Sequence, residues 1–395
     1  MLILALAPIF IKSIAQSADS IYLFPSAITS SKEYYQWKAT QLSFVGEYEK
    51  SNLLFDSNII NARKASVEKL HSGLSGLDHG NAHDFIIQAA KDKQILIINE
   101  AHHKPQHRVF TESLLADLYK VGFRYLGLET LINDFTHEYP KDTALNTRKY
   151  PLLPSGTYTQ EPNFGNLLRT ALQVGYQTFS YEASMLLDKT PREEDEARNI
   201  ANFLKEHAGA KILIHCGYGH ASECFSAAFN SKTMAGFLKE YTGIDPFTID
   251  QNSLTEDLEN EFSVFKPGEI VAPQVFFTSG GRVVNDAYLG RKKTDTCFDV
   301  LVFHPLHMLP NRRPGWKLSK DYVEFNPGIL SPGLSYPIMI KAYHKAEEIN
   351  QAIPADIIIR ENKQDKKPLN LKKGDYVLLV SNLAQKKEII NISVQ

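Results

Sequence analysis

Four short apolar runs in this 395-residue sequence end in side chains that can carry protons. Ile95-Leu96-Ile97-Ile98-Asn99 leads into Glu100, His102 and His103, and Arg124 to Leu128 leads into Glu129. Gln177 to Tyr181 leads into Glu182, and Lys211 to Cys216 leads into Gly217-Tyr218-Gly219-His220. An imidazole within hydrogen-bond reach of a carboxylate is the usual equipment for activating water, because the ring takes a proton and the acid orients the ring. His102 is the candidate base, with Glu100 or Glu129 as its orienting acid. His220, preceded by two glycines that let the backbone approach a substrate, is a candidate acid or oxyanion donor. Carboxylates crowded into one crevice repel unless a cation intervenes. Arg192 is placed to pair with Glu182 or an anionic transition state, and Arg108 stands in the same position after the first run. His102, Glu129 and His220 could equally hold a divalent metal with water in an open position, and the residue types leave both routes open. No serine sits in a Gly-x-Ser-x-Gly elbow and Cys216 lacks an activating setting, which disfavours a covalent nucleophile. No Gly-x-Gly-x-x-Gly follows the first run, which counts against a dinucleotide enzyme.

The elements that must position these groups alternate in type. Apolar, β-branched runs alternate with helical segments at 106–121, 163–174 and 191–208, at about 30 residues per unit. That rhythm predicts an α/β fold with a mainly parallel sheet flanked by helices. Parallel strands aim their carboxyl ends the same way, so Glu100, His102, Glu129, Glu182 and His220 share one rim, where such sheets bind ligands. Further strands are expected at 247–250, 275–278 and 299–304, after a helix at 234–241. A proline- and glycine-rich stretch at 305–335 then marks a boundary. Short strands at 357–359, 376–380 and 389–394 predict a small C-terminal all-β appendage. The expected divisions are 1–17 as a signal segment, 18–90 as a helical lead-in, 91–335 as the α/β domain and 336–395 as the β domain. The lead-in carries helical spacing at 59–70 and a short helix at 85–90. The segment from Ile132 to Pro162 holds Pro140, Pro151, Pro154 and Pro162 together with Phe135, Tyr139, Tyr150 and Tyr158. It leaves from the mouth of the crevice and is expected to form a lid or wall over it.

A net charge of −2 gives no general attraction to nucleic acid or to an anionic membrane. The expected partner is a small-molecule or peptide substrate. Leu2 to Ile11 is apolar but too short to span a bilayer, and it leads to Ala15-Gln16-Ser17-Ala18, a small-residue cleavage pattern. No basic residue precedes the apolar run. Export to the periplasm or beyond is the expectation, with a mature chain from near Ala18 and no transmembrane segment in it. Three cysteines allow at most one disulfide; Cys216, ending a buried run, is expected to pack as a small hydrophobe rather than pair with Cys224.

Taken together, Asn99-Glu-Ala-His102, Gly127-Leu-Glu129, Arg192-Glu193-Glu194 and Gly217-Tyr-Gly-His220 resemble the superfamily that joins erythromycin esterases, haem-binding ChaN proteins and Tiki/TraB proteases. Its hallmark is a pair of Gly-x-x-His segments with an intervening glutamate. Tyr158-Thr-Gln-Glu-Pro-Asn-Phe-Gly and Thr242-Gly-Ile-Asp-Pro-Phe-Thr-Ile-Asp250 look like an uncharacterised, ChaN-like bacterial branch. The resemblance covers about residues 90–305. Asn99 stands where the first motif has its glycine, and the esterases place their histidine one residue later, at His103; the spacing of the other members selects His102. The resemblance implies an erythromycin esterase/ChaN-like α/β fold and one of three activities. These are hydrolysis by histidine-activated water, metal-dependent peptide cleavage, and haem binding, the last with tyrosines such as Tyr158 and Tyr218 against the cofactor.

Overall fold

The computed structural model describes residues 18–28, 34–58, 73–131, 142–183, 191–227, 230–256, 270–289, 296–305, 313–318, 321–327 and 333–395. The expected signal segment, the helix at 59–70, and Phe135, Tyr139 and Pro140 of the 132–162 segment lie outside the described residues.

The centre of the molecule is an eight-stranded sheet. In chain order its strands are β1 (Asp78–Asn81), β2 (Ile95–Glu100), β3 (Phe123–Leu128), β4 (Gln177–Ser180), β5 (Lys211–Gly217), β6 (Phe247–Thr255), β7 (Gln274–Phe277) and β8 (Val300–His304). They lie side by side as β1-β7-β8-β6-β2-β5-β3-β4. The β2/β5, β3/β5, β3/β4, β2/β6 and β8/β6 pairs are parallel, whereas β7 runs antiparallel to both β8 and β1. The fold is therefore α/β with a mainly parallel sheet. The sheet takes in Asp78–Asn81, so it begins ahead of residue 91.

The four residues Ile95 to Ile98 explain why β2 sits in the middle. Their side chains alternate across the pleat, and both faces are covered. Leu96 and Ile98 enter a core shared with helices α1 (Ala82–Ala90), α2 (Gln106–Lys120) and α3 (Pro162–Val174). Ile95 and Ile97 enter a second core under α4 (Arg192–Glu206) and α5 (Met234–Thr242). All four are fully buried, and each such side chain contributes about 1.5–3 kcal/mol of transfer free energy. The helix ends follow from sequence. Asn81 caps α1 through its side chain, Glu161 caps α3 ahead of a proline at the first turn, and Gly175 and Gly243 close α3 and α5 in the left-handed region.

The C-terminal part is all-β, with strands β9 (Tyr322–Phe325), β10 (Ile338–His344), β11 (Asp356–Arg360), β12 (Leu369–Lys372), β13 (Gly374–Asn382) and β14 (Lys387–Val394). Four of them form an antiparallel sheet in the order β11-β10-β13-β14, and β9 pairs with β12 across residue 336. This unit is docked through buried polar groups. Arg169 of α3 forms a two-bond ion pair with Glu347 at 2.6 Å, Asn166 donates to the Ala355 carbonyl at 2.8 Å, and Lys372 reaches Glu112 of α2 at 2.7 Å. Tyr22, Phe24, Leu42 and Phe44 of the lead-in pack with Met339, Ile357 and Ile359 of the β unit. No helix among the described residues is long and apolar enough to cross a membrane.

Candidate active site

Every strand of the parallel set delivers its carboxyl end to the same rim. The end of β2 supplies Glu100 and, two residues on, His102; the chain after β3 supplies Glu129, the chain after β4 supplies Glu182, and the chain after β5 supplies His220. Arg192 enters from the first residue of α4.

Glu100 is the buried anchor. Arg108, fully buried on the first turn of α2, grips both of its carboxyl oxygens, at 2.6 Å from Nε and 2.5 Å from a terminal nitrogen. Such a paired, forked geometry is the strong form of the arginine–carboxylate bond. Burial alone would raise the Glu100 pKa, but the charge and hydrogen bonds of Arg108, with a further bond from His102, hold it well below the usual carboxylate range. The ionised Glu100 Oε1 lies 2.9 Å from His102 Nδ1. An ionised carboxylate can only accept, so Nδ1 carries the proton and His102 Nε2 is the acceptor. Arg108 also bonds the His102 carbonyl at 3.1 Å and Glu161 at 3.1 Å, which ties the motif to the start of α3. Behind Glu100, His215 of β5 is buried with Nε2 3.5 Å from Oε2, and burial lowers its pKa to about 4. It is a neutral packing partner.

His102 is held as a flat ring between aromatics. Tyr158 stacks on it at 3.7 Å between centroids, and Tyr218 meets it edge-on at 4.8 Å. The other side of the ring is Gly217. A Cβ there would strike the imidazole, passing 2.7 Å from Nε2, and would lie 3.3 Å from Glu129 Oε2. The glycine is thus the gap through which His102 faces Glu129. His103 points elsewhere: it is buried, stacked at 3.7 Å on Phe55 of the lead-in, with Nδ1 3.4 Å from the Tyr218 hydroxyl. Asn99 is a structural pin. Its side chain donates to the Tyr218 carbonyl at 2.7 Å and to Asp250 at 2.8 Å, and accepts from Gln251 N at 2.7 Å. The first of these bonds, with the Tyr218 amide donating to the Glu100 carbonyl at 2.7 Å, brackets a residue at φ +38°, a backbone conformation unusual for a bulky side chain.

The second cluster surrounds Arg192, which is half-buried. One terminal nitrogen lies 2.8 Å from Glu129 Oε1, 2.8 Å from Glu182 Oε2 and 2.9 Å from Glu196 Oε1, and Nε lies 2.8 Å from Glu182 Oε1. The other terminal nitrogen is 3.1 Å from His220 Nε2. Glu129 Oε2 accepts from the Gly217 amide at 2.5 Å. Burial would raise the Glu129 pKa, but the charges of His220, Arg192 and His102 bring it down to about 2. Glu196 goes the other way: burial first, then Glu182, Glu129 and Glu193 against the pull of Arg192, push it well above the usual range. For His220, burial lowers the pKa, but Glu129 and Glu193 outweigh it and raise it. Arg192 can meet Nε2 only as a donor, so while it stays in place the ring is the Nδ1–H tautomer.

The structure therefore gathers all six residues singled out from sequence, Glu100, His102, Glu129, Glu182, Arg192 and His220, into two adjoining groups. No role is assigned from sequence to Glu161, Glu193, Glu196 or His215; Glu161 and Glu193 appear there only inside the segments that carry the resemblance. Glu161 caps α3, Glu193 stands in the first turn of α4, where an acid complements the helix dipole, and Glu196 lies one turn further on.

A metal shared by His102, Glu129 and His220 does not fit: among the described residues the donor groups that close to within 4.8 Å are Glu129/Glu182/Glu196 and Glu193/Glu196/His220. The first of these already encloses the Arg192 guanidinium. Burial and then Glu129 push the Tyr158 phenol upward, and burial and then Tyr158 push that of Tyr218, so both are neutral walls of the site. Cys216 is fully buried and burial raises its thiol well above the ordinary value, so it is no nucleophile. The disulfide that forms is Cys224–Cys297, a pairing the sequence does not single out.

No protein-family model and no curated protein matches the sequence. Among solved structures, the type III effector HopBA1 aligns with a TM-score of 0.34 and 13% identity, over 58% of this chain and 97% of that one. RRSP, a MARTX toxin effector domain from Vibrio vulnificus, aligns with a TM-score of 0.26 and 18% identity, over 49% of this chain and 39% of that one. The C-terminal region of Pasteurella multocida toxin, described as having a thiol-protease like catalytic triad, aligns at 0.29 and 10% identity, over 92% and 54%.

Proposed function

We propose that the protein is an exported hydrolase of the erythromycin esterase/ChaN-like kind, cleaving an ester or amide bond with water activated by His102. The observation that carries this reading is the Arg108–Glu100–His102 chain. It fixes the Nδ1–H tautomer and leaves Nε2, with no hydrogen-bond partner among the described residues, as a base beside Glu129. Water on Nε2 gives up its proton to His102 as its oxygen attacks the carbonyl carbon. Glu100 stabilises the imidazolium that results, and His102 then passes the proton to the leaving oxygen or nitrogen. Arg192, the half-buried cation among the rim carboxylates, meets the negative charge that develops on the carbonyl oxygen. Tyr158 forms one wall of the site, and its amide is fixed to Thr130 Oγ1 at 2.9 Å; this is the part of the 132–162 segment that bears on substrate choice. Export is supported by the Cys224–Cys297 disulfide, a bond that persists in oxidising compartments, and by the N-terminal sequence.

The test is a panel of ester, lactone and peptide substrates with wild type and His102→Ala. We expect at least one substrate to be turned over and the variant to lose about 10²–10⁴-fold in rate with little change in melting temperature. A variant as active as wild type on every substrate removes the base from this account.

A further inference from the structure

His220 has a second side that the hydrolytic reading leaves unused. Its Nε2 faces Arg192 and Glu129, while Nδ1 lies 2.7 Å from Glu193 Oε1 and 3.6 Å from Glu196 Oε2. Glu193 and Glu196 stand three residues apart on α4 and so project from one face of the helix. The Met234 amide at the start of α5 donates to Glu193 Oε2 at 2.8 Å, which leaves Oε1 turned inward. Ligand atoms of Glu193, Glu196 and His220 all lie within 4.8 Å of one another, and all three residues are buried.

Glu196 is the decisive member. It is 0% exposed, and among the described residues neither of its carboxyl oxygens has a hydrogen bond. Oε1 makes only the ion contact with Arg192, and Oε2 looks at the imidazole. A buried carboxyl left in that state is costly, and an ion is one standard remedy. The charge balance points the same way, since Glu129, Glu182 and Glu196 share the Arg192 guanidinium while Glu193 lies against His220 Nδ1.

We propose that Glu193, Glu196 and Nδ1 of His220 form a binding site for a divalent transition-metal cation, set behind the hydrolytic face. One imidazole with two carboxylates suits Zn²⁺, Mn²⁺, Co²⁺ or Fe²⁺ better than Mg²⁺ or Ca²⁺, which prefer all-oxygen shells. A cation on Nδ1 displaces the proton from that nitrogen, so the ring becomes the Nε2–H tautomer: Arg192 gives up its bond to Nε2, and Glu129 Oε1, 3.7 Å away, becomes the acceptor that fixes the ring. Its role is to position His220, and the binding itself does not depend on the hydrolytic reading.

The test uses the full chain, stripped with a chelator and dialysed. Co²⁺ is followed by its visible absorption and Zn²⁺ by calorimetry, with circular dichroism as the check on folding. We expect one equivalent to bind wild type, affinity to fall at least about tenfold in Glu196→Gln and Glu193→Gln, and binding to persist in His102→Ala and Glu129→Gln. If Glu193→Gln unfolds through loss of the Met234 bond, Glu196→Gln carries the comparison alone. No binding by folded wild type at millimolar metal overturns the proposal. So does binding that survives Glu196→Gln, or binding that disappears in His102→Ala.

Discussion

At the scale of single residues, the site works by restricting two imidazoles in different ways. His102 is fixed through Nδ1 by a carboxylate that Arg108 keeps ionised, and its open nitrogen faces Glu129 only because residue 217 has no side chain. Gly217→Ala therefore forces the His102 ring or Glu129 to move by several tenths of an ångström. Because the site depends on that alignment, we expect at least about a tenfold loss of turnover, set against a stability cost of about 1–3 kcal/mol from overpacking. Paired rate and urea-unfolding measurements check this; a variant with wild-type turnover shows that the Gly217 gap has no bearing on catalysis. The choice between His102 and His103 also belongs here. Spacing favoured His102, and the physical difference is one of neighbours: Glu100 and the Gly217 gap for His102, the Phe55 ring for His103.

At the scale of elements, the buried histidines make stability depend on pH. His215 on β5, His304 on β8 and His107 on α2 are held neutral by burial, with folded pKa values of about 4 for His215, about 3 for His304 and well below normal for His107. Their unfolded value is about 6.5. A histidine with a depressed folded pKa contributes its full stability above about pH 6.5, and that contribution is lost as pH falls toward the folded pKa. Glu100 and Glu129, depressed carboxylates, give way only below about pH 4.5. His220, with its raised pKa, has the opposite sign and loses its contribution as pH rises through its folded value. Between pH 6.5 and 4.5 the neutral histidines dominate. Replacing His304 with the non-titrating Gln should reduce the fall in unfolding free energy between pH 7.5 and 5.0 by about 2 kcal/mol. Urea titrations at the two pH values measure it, and an equal fall in both proteins contradicts the assignment. The parallel strands themselves were legible in the sequence because each is a short apolar run closed by a polar group. β10, β9, β12 and β1 were not, because β10 carries Lys341 and His344 within an otherwise apolar run, and Asp78-His-Gly-Asn has no strand composition at all.

At the scale of the whole molecule, the C-terminal β unit and the lead-in act as a brace rather than an appendage. Glu161 caps α3 and holds Arg108; residues 152 and 153 pair with Ala352 and Gln351 of the β unit; and Tyr158, a few residues on, walls the site. The sheet and the site residues could be read from local patterns, because Glu100, His102, Glu129, Glu182 and His220 each follow a strand closely and Arg192 opens the next helix. The brace could not, since Arg169–Glu347 and Lys372–Glu112 join residues far apart in the chain whose local sequence gives no sign of a partner. The same distance hides Cys224–Cys297, which are separated by 73 residues. All of this scaffolding serves one claim, that the open nitrogen of His102 takes a proton from water. Chemical rescue tests it most directly: His102→Ala is assayed on a substrate that wild type hydrolyses, with free imidazole added in increasing concentration. The account predicts a variant nearly inactive alone whose rate rises with imidazole, the small ring filling the space between Tyr158 and Gly217. A variant that retains wild-type turnover without imidazole, or one whose lost turnover imidazole leaves unchanged at every concentration, contradicts it.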